Sequence, residues 1–417
     1  MSDRFAARDG WRYGLLGLPL AFVALPLYVL VPNHYAREAG VPLALLGTVL
    51  LAARLFDAFI DPLIGRWVDR LYRRSPRDVL AFGAASAGLL ALGFALLFFP
   101  PTGDPVRAVA WAGATLAITY AGYSGLSVAH QSWGAMLGGD EARRSRIVAW
   151  REGLGLAGVL LASAAPLLLG LEVTVLLFVA LLGAGWWAWR AGLRPLPSAQ
   201  AAQGSLWEPL WRPAFRRLLA VFVVNGIASA IPATLVLFFL QDRLQVAAAV
   251  QPLFLAAYFL AAALSIPLWL RLVRRIGLAR TWLVGMGLSV ASFLWTLTLG
   301  AGDAWAFLAV CLASGIALGT DLALPSALLA GVIAQAGDQG RSEGAYFGWW
   351  NFATKLNLAL AAGLALPLLG LAGYAPGARD EPALQALSWA YCLLPCVLKL
   401  AAAAGLYAAL IHRRDIP

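Results

Sequence analysis

The sequence predicts an all-α membrane protein with twelve transmembrane helices in two pseudo-symmetric six-helix bundles. Composition, the spacing of apolar runs and the placement of arginine predict it. Of 417 residues, 61% are hydrophobic and only 12% charged, with a mean hydropathy of +0.76, whereas soluble chains carry about 25% charged residues. Runs long enough to cross a bilayer, about 20 residues, fall at 13–32, 43–66, 79–99, 108–137, 147–170, 172–193, 215–240, 250–271, 281–300, 305–333, 345–370 and 386–411. An even number of spans puts both termini on one side.

Arginine and lysine orient the spans. The termini and the loops on their side hold 23 of these residues, the opposite loops only Arg37, Arg107, Arg243 and Arg379. The positive-inside rule then places both termini in the cytoplasm of a bacterial-type inner membrane. The net charge of +10 is thereby a topological charge, and no nucleic acid partner is expected. Arg54, Arg151, Lys355 and Lys399 are left inside spans.

The opening MSDRFAARDGWRYGLL mixes acids with arginines and has no small-residue cleavage site after the first apolar run. The first run is therefore expected to remain as a helix and not to be a signal peptide. Cys311, Cys392 and Cys396 lie inside apolar runs, where packed, reduced thiols are expected in place of disulfides or metal ligands. A polar stretch at 194–214 reads as a cytoplasmic linker between bundles at 1–193 and 215–417. The halves repeat weakly. DPLIGRWVDR at 61–70 matches IPLWLRLVRR at 266–275, and GDEAR at 139–143 matches GDQGR at 337–341. Where the first half has Asp61, the second has Ile266.

The second span carries the strongest chemical signal, ARLFDAFIDPLIGRWVDRLYRRSPRD at 53–78. Asp57 and Asp61 are one helical turn apart and share a face. Ionisable residues inside a bilayer mark functional sites by default. Two such carboxylates repel, so the pair suits a proton or a small hard cation. Pro62 has no N–H for the carbonyl of Ala58, which becomes a candidate further ligand. A structural ion network with Arg54, Arg151 or Lys355 is the alternative reading of the acids. Asp69, Arg70 and Arg73 follow at the cytoplasmic mouth, and Arg274 and Arg275 repeat the cluster in the second half. Together they form a candidate cytoplasmic gate, or simply a solvated topogenic cluster.

RLFDAFIDPLIGRWVDR resembles the second-helix signature of the glycoside, pentoside and hexuronide cation symporters, the melibiose permease-like family of the major facilitator superfamily. GDEARRSRIVAWREGLGLAG at 139–158 and GDQGRSEGAYFGWWNFATKL at 337–356 are similar to the family as well, so the likeness covers nearly the whole chain. It implies the major facilitator fold and alternating access, with Asp57 and Asp61 at the cation site, Lys355 beside it, Arg151 near the substrate and Trp133 near a sugar-stacking aromatic. Two departures matter. The family's sugar-holding acids fall near Ala21 and Ala129, and an asparagine before the second aspartate is replaced by Ile60, which tips the balance from sodium to a proton.

The function expected is cation-coupled symport, by proton or sodium, of a sugar-like or anionic organic solute by a monomer without cofactors. Candidate substrate contacts are Trp133, His130, Arg151, Glu152, Asn351, Trp350 and Asp321, with Trp349 as a further stacking surface. A lysolipid carrier of the same fold is the alternative. A membrane-embedded aspartyl protease is the reading from another class, disfavoured because such a dyad faces across two segments, whereas both acids here share one helix.

Overall fold

The computed structural model describes residues 5–24, 26–31, 34–35, 43–101, 104–195, 205–247, 250–375 and 377–408. Among them every regular element is helical. In chain order these are α1 (Ala7–Gly14), α2 (Gly17–Phe22), α3 (Leu43–Arg74), α4 (Pro76–Leu97), α5 (Pro105–Met136), α6 (Glu141–Leu169), α7 (Leu171–Arg190) and α8 (Glu208–Trp211). There follow α9 (Pro213–Phe238), α10 (Gln251–Ile276), α11 (Leu278–Thr296), α12 (Ala304–Ala323), α13 (Pro325–Gln335), α14 (Glu343–Leu371), α15 (Glu381–Ser388) and α16 (Leu394–Leu406). Short π-helical stretches at Pro26–Leu30, Phe239–Arg243 and Trp389–Leu393 interrupt three of the expected spans. Eight helical segments among the described residues are long and apolar enough to cross a membrane.

Helix starts follow local chemistry. Ser75 caps α4 by accepting from Arg77 N at 3.0 Å, and Asp104 caps α5 by accepting from Val106 N at 2.9 Å. In both cases proline follows the cap, where its missing N–H costs nothing. Asp140, in the GDEAR repeat, caps α6 through Arg143 N at 2.7 Å.

The chain divides into two compact units, Met1–Pro209 with Ile333–Phe352, and Leu210–Val332 with Ala353–Pro417. The sequence-based division placed 333–352 in the second bundle; here the opening of α14 packs within the first unit. Glycines make that packing close. A Cβ on Gly65 of α3 would collide with the carbonyl of Gly344 in α14, and one on Gly348 would lie 2.6 Å from the carbonyl of Asp61. Backbone-to-backbone approach of this kind is the usual small-residue packing of membrane helices.

Each unit has an aromatic core. In the first, Phe94 and Phe178 stand 4.4 Å apart between ring centroids, with Phe22 against Phe178 at 5.7 Å. In the second, Phe239 stacks on Tyr391 at 4.3 Å. Leu168, Leu176, Leu264 and Leu371 are exposed, a surface that lipid accommodates and water disfavours. The linker end is fastened to the first unit: Trp349 Nε1 donates to the carbonyl of Leu206 at 2.9 Å, and its ring lies 5.2 Å from that of Trp207.

Because α3 and α14 meet through backbone, Gly344→Val forces them apart. Overpacking of this kind costs about 1–3 kcal/mol, so the apparent melting temperature of the purified protein is expected to fall by several degrees, with Gly183→Ala, where a Cβ meets nothing, leaving it unchanged.

Candidate functional site

In the first unit α3 buries both acids of its motif. Asp57 is 4% exposed and Asp61 fully buried, as their shared face requires. The hydroxyl of Ser124, on α5, donates to Asp57 Oδ1 at 2.9 Å. Pro62 lies inside α3 and withholds an N–H from Ala58, whose side chain is half-buried. Arg54 is exposed on the same helix, and Lys355 is half-buried in the second unit.

A second polar centre in this unit is a cavity of about 110 Å³ lined by Tyr123, Ser127, His130, Gln131, Arg151 and Glu152, with Gly17, Leu20, Ala21 and Gly155 completing the wall. Arg151 Nε donates to Glu152 Oε1 at 3.0 Å, so the pair presents a cation and an anion together on one side of the cavity. His130 is fully buried with Nε2 2.9 Å from the carbonyl of Tyr13. A carbonyl only accepts, so Nε2 carries the hydrogen. Tyr13 returns the bond from its hydroxyl to the His130 carbonyl at 3.1 Å, and the rings stack at 4.2 Å. Ala21, where the family resemblance implies a sugar-holding acid, lines the same cavity, whereas Ala129 is buried and its carbonyl accepts from Tyr72.

Several candidates are placed elsewhere. Trp133 is 1% exposed, donates to the carbonyl of Leu193 at 2.9 Å and packs edge-on against Trp189, away from the cavity wall. Trp350 is buried and Asn351 half-buried in the first unit. Asp69 is 1% exposed and takes Gly344 N at 2.6 Å on Oδ1 and Ala345 N at 2.9 Å on Oδ2. It therefore caps α14. Arg70, Arg73, Arg274 and Arg275, proposed with it as a gate, are exposed, the last two in the second unit.

Asp321, in the second unit, belongs to a network that sequence reasoning did not assemble. Lys399 Nζ lies 2.7 Å from Asp321 Oδ2 and also donates to Asn225 Oδ1 at 2.9 Å and Ser229 Oγ at 3.1 Å. Asn225 Nδ2 and Trp282 Nε1 donate to Asp321 Oδ1 at 3.1 and 2.8 Å, and Ser229 Oγ to Oδ2 at 3.2 Å. Every ammonium hydrogen is used and both carboxylate oxygens are doubly bonded. In the sequence Asp321 and Lys399 stand out as charges inside apolar runs, with nothing to mark them as partners.

Residues 11–413 match the family described as MFS/sugar transport protein. The chain belongs to that family. It is a multi-pass membrane transporter, not an enzyme. The transporter is 25% identical over 387 residues to the uncharacterized symporter YjmB of Bacillus subtilis (strain 168), covering 85% of this chain and 81% of that one. It is 28% identical over 155 residues to the putative glycoside/cation symporter YagG of Escherichia coli (strain K12). That alignment spans 37% of this chain and 33% of YagG. Among solved structures, a bacterial homologue of the iron transporter ferroportin in an outward-facing state superposes with a TM-score of 0.75 at 13% identity, covering 97% of the transporter and 99% of that chain. The fucose:proton symporter FucP of E. coli gives 0.69 at 15%, covering 95% and 98%. These likenesses establish the fold.

Removing one partner of a buried ion pair strands the other and costs about 3–5 kcal/mol, whereas replacing both is often neutral. Lys399→Met is therefore expected to lower the melting temperature strongly, and the double variant Asp321→Asn with Lys399→Met to recover most of the loss.

Proposed function

We propose that the transporter is a symporter that couples a cation, proton or sodium, to uptake of a small hydrophilic solute of the sugar-like or organic anion class by alternating access. The observation that carries the reading is the buried Asp57 and Asp61 pair on α3, with the Ser124 hydroxyl 2.9 Å from Asp57, in a chain that matches a sugar transport family over residues 11–413. Carboxylates in low dielectric bind a cation far more readily than they remain bare. The hydroxyl and the Ala58 carbonyl are neutral oxygens suited to a small hard ion.

The solute site in this reading is the first unit's cavity. Arg151 and Glu152 supply a donor fork and an acceptor, and Tyr123, Ser127 and Gln131 add neutral hydrogen-bonding groups. A lining of this kind supports a hydroxylated or anionic solute over an acyl chain, and the likeness to YagG, named a putative glycoside/cation symporter, supports a glycoside. Twelve spans with cytoplasmic termini, the arrangement read from the arginines, complete the proposal.

The test is uptake into proteoliposomes of labelled sugars and organic anions, driven separately by a sodium gradient and by a proton gradient. Asp57→Asn and Asp61→Asn are expected to abolish gradient-driven accumulation, and Arg151→Ala to raise the KM at least about tenfold, the loss of one charge-assisted contact. Undiminished accumulation by both aspartate variants would overturn the coupling assignment.

A further inference from the structure

The first turn of α14 is held by Asp69, whose two oxygens take the amides of Gly344 and Ala345. The free N–H groups and the positive end of the helix dipole stabilise an ionised carboxylate there. A second carboxylate stands at the same turn. Glu343 is the first residue of α14 and fully buried. Its Oε1 accepts from Gly340 N, whereas Oε2 is buried and accepts no hydrogen bond from the described residues.

The two acids are not equivalent. Asp69 has each oxygen matched by a backbone donor. An ionised Glu343 would instead leave its buried Oε2 without a hydrogen bond from the described residues, which burial penalises. The amides of its own turn offset that only in part, and the titratable side chains nearby do not complete it. From α3 these are Asp69, Arg66 and Tyr72, of which Arg66 lies beside Asp69. From its own segment they are Asp338 and Tyr346, already bonded to one another at 2.7 Å. Arg341 is two residues back on the same turn.

We propose that Glu343 is a proton-operated switch on the clasp between α3 and α14, neutral when the clasp is closed and opening it when ionised. Neither transport coupling nor the solute site enters this inference. Burial pushes the Glu343 carboxyl up to about 7, with the backbone amides of Gly340, Glu343, Ser342 and Arg341 pulling the other way. Its charge in turn is one cause, after burial, that pushes Asp69 up. Because the pKa of Glu343 is raised in the clasped state, its contribution to the clasp is fully present below the ordinary carboxylate range, near 4.3. That contribution is lost as pH rises through about 7. With the arginine-rich side in the cytoplasm, alkalinisation of the cytoplasm would release the first turn of α14.

The test is hydrogen exchange of the full-length protein in detergent, read at the amides of Gly344 and Ala345 from pH 5 to 8.5 and corrected for intrinsic exchange. In the unmodified protein their protection should fall as pH rises towards about 7, by up to about tenfold per pH unit, the limit for release of one proton, and level off above it. Glu343→Gln should hold the low-pH protection across the range. The inference is overturned if protection in the unmodified protein is flat, or if Glu343→Gln keeps the same fall. Should that variant fail to fold, the titration of the unmodified protein decides alone, with Asp69→Asn expected to show low protection at every pH.

Discussion

Charge buried among apolar helices must be matched on the spot, and the internal architecture of both units answers to that constraint. Little water is at hand to solvate a carboxylate or guanidinium, and four of these charges have a partner held by another element or an adjacent residue. Asp57 has the Ser124 hydroxyl from α5, Arg151 has Glu152, Asp321 has Lys399 from α16, and Asp69 has the amides of α14. Each partner must arrive at hydrogen-bond distance. Hence the glycines at Gly65, Gly344 and Gly348, which let two helix backbones touch where the Asp69 cap is made.

The two units solve the problem differently at corresponding places. The register that aligns GDEAR with GDQGR sets Asp321 at the place of Tyr123, and the register of DPLIGR with IPLWLR sets Asn225 at that of Leu20. Tyr123 and Leu20 line the first unit's cavity, whereas Asp321 and Asn225 are bonded into the Lys399 network. Corresponding positions thus line a cavity in one half and join an ion pair in the other.

The coarse design was legible because its signals are local. Apolar runs of spanning length, the four-residue spacing of Asp57 and Asp61, and caps such as Asp140 are read within a turn or two of helix. The partners were not. Lys399 meets Asp321 across 78 residues of chain, and nothing in a single apolar run says which helix faces which. Trp133 reads as a stacking surface because aromatic residues serve both cores and ligands; its indole is spent on the Leu193 carbonyl. Glu343 carries no mark of its burial in the sequence. It is buried where Gly344 brings α3 close to the same turn.

The Lys399 network also bears on the proposal that coupling lies in the first half. A carboxylate binds a transported cation through lone pairs that are open to it or held by partners that can turn away. Asp321 has four donors on two oxygens, one of them a built-in ammonium. An incoming cation would have to displace Lys399, which would keep its charge while losing the anion that balances it, the costly half of a broken buried pair. Asp57 accepts instead from a serine hydroxyl, which can rotate its hydrogen aside and offer a lone pair to the same ion. The Asp321 and Lys399 charges thus cancel within the second unit's core. In the proposed symport, that difference assigns the coupling cation to the acids of the first unit.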